Sequence, residues 1–103
     1  MRTAYIQALP PRWEKFSRVF SALGDPRRQR ILLMFEQGER LTIKQIAEAL
    51  PMSRTAVVHH IQVLLDAGVL RRSKSGKEVF LRIDKRLVTS SIERVSNFIQ
   101  RNA

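Results

Sequence analysis

Apolar residues recur every three or four positions along most of this chain. Trp13, Phe16, Phe20 and Leu23 form the first such row, and Val19 widens it. That period predicts a first helix over residues 12–23, closed by Gly24 as a left-handed residue past its end. Pro10-Pro11 stops any helix upstream and opens this one, so residues 1–11 read as an N-terminal arm. Asp25-Pro26 is an N-cap followed by proline at the first helical position. A second helix is predicted from Pro26 to Gln37, with Ile31, Leu32 and Phe35 inward and Gly38 as its stop. Thr42 caps a third helix, and Gln45 completes a capping box. Its inner stripe is Ile43, Ile46, Ala47 and Leu50, ended by Pro51. Ser53 caps a fourth helix, which turns Ala56, Val57, Ile61, Leu64 and Leu65 inward and ends at Gly68.

The apolar period then falls to two. Val69 to Ser73 and Glu78 to Ile83 are predicted strands around Lys74-Ser75-Gly76-Lys77. Val79, Leu81 and Ile83 alternate with Glu78, Phe80 and Arg82. Asp84 opens a last helix, predicted over residues 86–101, with Phe98 beside the row Val88, Ile92, Val95 and Ile99. The predicted order is α-α-α-α-β-β-α: mainly α with a small β-hairpin wing. Residues 12–103 then form one winged helix-turn-helix domain behind the arm.

Two short helices, a tight turn and a basic ribbon are the parts with which such a domain holds DNA. The second helix of the pair enters the major groove and brings its N-terminal residues to base edges. Here those residues are Ser53, Arg54, Thr55, Val58, His59 and Gln62. Val57, Ile61 and Leu64 share the inward stripe, so Arg54, Thr55, Val58 and His59 face elsewhere. Arg54 can grip guanine O6 and N7 in a bidentate contact, and Val58 can touch a thymine methyl. Thr55 can meet a phosphate, a base edge or a methyl. Ser53 is an N-cap in any reading, with a DNA contact added in this one. His60 adjoins Ile61 and reads as a core-facing ring. Arg71, Arg72, Lys74 and Lys77 make the wing basic, and Thr42 and Lys44 join them as candidates for the DNA backbone. Such contacts position a protein without reading sequence.

Charge sharpens that picture. Nineteen Lys and Arg against nine Asp and Glu give a net charge of +10 over 103 residues, which calls for a polyanion partner. The cations are spread along the chain rather than gathered on one amphipathic helix, which argues against a membrane surface. The absence of cysteine removes disulfides, thiolate metal sites and a cysteine nucleophile. No signal-peptide pattern is visible, and the longest apolar run, Ile31 to Phe35, is too short to span a bilayer. A cytoplasmic location is therefore expected. Two adjacent histidines and scattered carboxylates do not make the convergent set that an enzyme needs.

Three stretches resemble the winged-helix repressors of the ArsR/SmtB family. They are SALGDPRRQRILLMF at 21–35, SRTAVVHHIQVLLDAGVL at 53–70 and GKEVFLRID at 76–84. The resemblance covers roughly residues 13–84. It implies a homodimer built from the first and last helices, and repression of a nearby promoter, often the protein's own. It also implies DNA contacts at Ser53, Arg54, Thr55, Val58 and His59. The chain departs from the family where many members sense metals. The cysteine pair at the start of the third helix is replaced by Leu41-Thr42-Ile43-Lys44. The last helix has no histidine, which leaves Asp84 and Glu93 as its only potential ligands. Tight transition-metal sites need several converging ligands, so no metal site at the family's positions and no cofactor are expected.

Trp13, Phe16 and Phe20 on the first helix, and Val88, Ile92, Val95 and Ile99 on the last, form either internal core or a dimer seam. A chain this short has little interior for both rows. A two-fold dimer is expected, reading an inverted repeat in double-stranded DNA. An unidentified small-molecule or protein effector would have its natural place between those helices. Two other classes share the charge. A nonspecific chromosome-organising protein would not need a base-reading helix face. An RNA- or protein-binding winged helix is opposed by aromatics that lie mostly in helix rows, with Phe80 on the wing as the exception.

Overall fold

Capping chemistry sets where most of the helices begin. In the computed structural model, which describes residues 1–103, the order is α1 (Pro11–Leu23), α2 (Pro26–Leu33), α3 (Ile43–Ala49), α4 (Arg54–Asp66), β1 (Leu70–Ser75), β2 (Glu78–Ile83) and α5 (Lys85–Asn102). Asp25 Oδ1 accepts from the Arg27 amide at 2.8 Å at the start of α2. Ser53 Oγ accepts from Ala56 N at 3.1 Å, and Asp84 Oδ1 from Leu87 N at 3.0 Å. At α3 the exchange is reciprocal: Gln45 N donates to Thr42 Oγ1 at 3.1 Å, and Thr42 N to Gln45 Oε1 at 2.8 Å. Each bond satisfies an amide that the first turn leaves unpaired. α1 has no side-chain cap and uses Pro11 at its first position instead.

Helix ends were the less accurate part of the sequence reading. Gly68 does end α4 in the left-handed region, with φ +81°. Val69 N bonds Leu64 O at 2.9 Å and Gly68 N bonds Leu65 O at 3.0 Å, a Schellman closure. Gly24 does not behave that way: its φ is −77°, in the right-handed region. The helix predicted to reach Gln37 stops at Leu33. The Met34 and Phe35 amides bond the Ile31 and Leu32 carbonyls three residues back. This tighter turn lets Met34 and Phe35 pack against the core and brings the chain round so that Leu41 can join it.

The wing is a two-stranded antiparallel ribbon running from Leu70↔Ile83 to Ser75↔Glu78. Its turn is only Gly76-Lys77, with Gly76 at φ +62°. Lys74 and Ser75 therefore belong to the strand, not to a four-residue loop, and Val69 lies before it. A third short piece was not foreseen. Leu41 bridges Leu81 through two backbone bonds of 3.0 and 2.7 Å, which ties the entrance of α3 to the wing.

The core joins Val19 and Ala22 of α1, Ile31 of α2, Ile46 of α3, and Val57, Ile61 and Leu64 of α4 to Leu41, Val69, Leu70 and Leu81. α5 stands apart. Its only fully buried residue is Ser91, while Leu87 and Val88 are half-buried against the core.

Candidate nucleic-acid interface

Leu50, Pro51 and Met52 make the turn between α3 and α4, with Met52 N bonded to Leu50 O at 2.8 Å. Ser53 then starts α4. Val57, His60, Ile61 and Leu64 are buried. Ser53, Arg54, Thr55, Val58, His59 and Gln62 are all exposed. Val58 is an apolar side chain left 40% exposed among these polar neighbours. Of the first amides of α4, that of Ala56 is taken by Ser53 Oγ; the helix dipole favours an anion at this end. Gln62 is turned along its own helix and donates to Asp66 Oδ1 at 2.7 Å.

The flanking cations divide into held and free. Arg71 Nε lies 2.5 Å from Asp84 Oδ2, so that side chain pins the wing root to the start of α5. The Leu87 amide, followed by Arg71, holds the Asp84 carboxyl below its ordinary range. The only other ion pairs join Asp25 to Arg27 and Arg28. Lys44, Arg72, Lys74 and Lys77 are exposed without an acidic partner. Thr42 is occupied by its capping box. Phe80 is half-buried, with the Arg40 guanidinium 4.6 Å from its ring centre. The guanidinium thus lies against one face of the wing's one aromatic ring.

One arrangement behind the recognition helix escaped the sequence reading. Arg28 Nε donates to Ala22 O at 2.6 Å and Nη2 to Ser21 O at 3.2 Å. Its Nη1 lies 3.3 Å from His60 Nδ1. One side chain of α2 thus joins the end of α1 to the inner face of α4. His60 is only 3% exposed, and its pKa is lowered by burial first and by the Arg27 charge next. Asp25 is held far below the usual carboxylate range, chiefly by the Arg27 side chain.

The two rows assigned to a dimer seam separate. Trp13 packs edge-on against Phe16 and Phe98, at 6.5 and 5.5 Å between ring centres, and so joins α1 to α5 within the chain. Val88 packs on the core. Phe20, Ile92, Val95 and Ile99 instead line an open groove between α1 and α5. Ile92 and Ile99 are 48% and 54% exposed there. The arm lies along the end of α5, where Arg2 Nη2 donates to Asn102 Oδ1 at 3.2 Å. No three His, Asp or Glu side chains converge, and no helix is long and apolar enough to cross a membrane.

The sequence and the fold have counterparts among known proteins. A family profile described as a helix-turn-helix domain matches residues 23–73. The transcriptional repressor SdpR of Bacillus subtilis is 30% identical over 83 residues, 81% of this chain and 91% of SdpR. An ArsR-like transcriptional regulator from Rhodococcus sp. RHA1 superposes with a TM-score of 0.76 at 25% identity, covering 89% of each chain. A homodimeric winged helix-turn-helix DNA-binding domain from Mycobacterium bovis superposes at 0.65 with 24% identity, covering 94% of this chain and 93% of its own. The polar outward face of α4, the basic wing and these matches lead to one conclusion: the chain belongs to the ArsR family of winged helix-turn-helix DNA-binding transcriptional regulators, not to a family of enzymes.

Proposed function

We propose that this protein is a homodimeric repressor that occupies an inverted repeat in a promoter and blocks polymerase there. The outward face of α4 carries the reading: Arg54, Thr55, Val58 and His59 are exposed on the N-terminal half of a helix whose opposite face is core. Arg54 reads guanine, Val58 and Thr55 meet a thymine methyl or a phosphate, and the Ser53 turn seats a phosphate. Lys44, Arg72, Lys74 and Lys77 hold the backbone. The groove of Phe20, Ile92, Val95 and Ile99 supports two-fold pairing, the state in which the Mycobacterium bovis neighbour is described. Repression follows the precedent of SdpR. The ligand-poor start of α3 and the histidine-free α5 support a response that does not run through metal at the family's positions.

Selection of duplexes from a random pool, with purified protein and no added metal, tests this reading. A palindromic consensus is expected, with half-sites about 34–36 Å apart or a multiple of that. Zinc added to the selected duplex should leave its affinity unchanged. Recovery of no sequence above bulk DNA would favour the chromosome-organising alternative. A footprint lying only upstream of the promoter, with transcription rising, would overturn occlusion.

A further inference from the structure

His60 is the one buried ionisable side chain of the recognition helix, and DNA contact does not use it. Its Nδ1 faces a guanidinium that can only donate hydrogen bonds. Nδ1 must therefore accept, and the ring proton must sit on Nε2. Arg28 is itself fixed by two carbonyls at the end of α1 and lies 3.6 Å from Asp25. The neighbouring Gln29 Nε2 donates to Leu23 O at 2.6 Å. Two successive side chains of α2 thus bond three carbonyls in the last turn of α1, and Ser21 O also accepts from the Gly24 amide at 3.3 Å. The only polar tie from this junction to α4 is the one to His60.

We propose that Arg28 and His60 are positioning residues for DNA recognition: their contact fixes the orientation of α4 against α1 and α2, and protonation of His60 releases it. This rests on the reading of α4 as the base-reading helix. A proton on Nδ1 would set donor against donor and place a cation beside Arg28. The charged groups around the ring are Arg27 and Arg28 of α2, Asp25 at its cap and the exposed His59 of α4; α1 contributes carbonyls that bond Arg28. Asp25 alone opposes the added charge, and Arg27 and Arg28 already engage it.

The sign follows from burial. The charged form of His60 is disfavoured in the folded chain, so the unfolded chain binds the proton more readily. The contribution is whole above the ordinary histidine value of about 6.5 and is lost as pH falls below that toward the lowered folded value. Asp25 stays ionised throughout that window. A merely electrostatic histidine would act in the opposite direction, because added positive charge strengthens binding to any DNA.

Two measurements test the proposal on the full chain. Long-range proton–nitrogen NMR at pH 7.5 should show His60 as the Nε2–H tautomer, titrating below the ordinary histidine value. An Nδ1–H tautomer would overturn the contact whatever DNA the protein prefers. Affinity for the selected palindrome and for a scrambled duplex should then be measured at pH 7.5 and 5.5. Acidification is expected to weaken palindrome binding on the order of fivefold and not to weaken scrambled binding. His59→Gln should keep that loss. His60→Asn, which retains an acceptor that cannot titrate, should abolish it while leaving affinity at pH 7.5 within about twofold. Arg28→Lys, unable to span the carbonyls and the ring together, should weaken palindrome binding at both pH values. Persistence of the pH effect in His60→Asn, its loss in His59→Gln, or a flat wild-type profile would each overturn the proposal. Circular dichroism of every variant separates these outcomes from unfolding. Failure to select any palindrome would reject the repressor reading and leave the NMR test standing.

Discussion

At the scale of single residues, Arg54 is the sharpest test of sequence reading. It is exposed at the first position of α4 and has no acidic partner. Arg54→Ala should cost about 1–3 kcal/mol on the selected site and relax preference at one base pair. Competition titrations against singly substituted duplexes would show this; an equal loss on every duplex would make Arg54 a phosphate ligand instead. The outward set Arg54, Thr55, Val58 and His59 was legible because a 3.6-residue period assigns a face to every position once Val57, Ile61 and Leu64 are placed inside. Adjacency to Ile61 put His60 inside, but it could not name its partner. Arg28 lies 32 positions away, and a period says which way a side chain points, not which distant donor meets it. Gly24 misled for a different reason. Glycine after a helix often marks a left-handed turn, yet here an added Cβ would stand 3.3 Å from the Phe20 carbonyl, so space accounts for it better than backbone angle.

At the scale of elements, starts were more legible than ends. A start is written in one side chain and one amide, as Thr42, Ser53 and Asp84 show. An end depends on where the chain must go next, and α2 stopped four residues early because Met34, Phe35 and Leu41 are needed in the core. The wing illustrates both cases: its strands were visible from alternation, while the bridge from Leu41 to Leu81 was not. Asp84 makes two of these elements interdependent, since it caps α5 and pairs with Arg71 of β1. Asp84→Ala should cost about 1–2 kcal/mol, a fall in thermal midpoint of roughly 4–8 °C per kcal/mol for a domain of this size. In the wild type this contribution is present above the ordinary carboxylate range and fades as pH drops below about 3.9. An unchanged midpoint for the variant at pH 7 would mean that neither bond contributes. Lys74 belongs to the same element but to function. It is exposed in β1 opposite Val79, so Lys74→Ala should weaken binding to all duplexes alike and lower the log–log salt slope by about one per chain. An unaltered slope would take the wing off the DNA.

At the scale of the whole molecule, the question is what covers the groove between α1 and α5. The sequence offered internal core or dimer seam for both apolar rows, and the fold divides them: Trp13 and Val88 are engaged within the chain, while Ile92 and Ile99 remain about half exposed. A net charge of +10 per chain opposes close approach of two copies, so the proposed pairing relies on apolar contact along this groove. Two chains joined there would carry two copies of α4 and gain affinity from simultaneous engagement of both half-sites. Ile99→Glu is the direct test. The side chain is already 54% exposed, so the single chain should fold with a change of about 0.5 kcal/mol or less. Two carboxylates brought to a desolvated seam would disfavour association. Sedimentation should then show a dimer for the wild type and a monomer for the variant, with helical content preserved. Affinity for the full palindrome should fall on the order of a hundredfold, while affinity for an isolated half-site should not change. A wild type that sediments as a monomer, or a variant that stays dimeric, would locate the seam elsewhere. A dissociated variant with undiminished affinity for the palindrome would instead show that one recognition helix is sufficient.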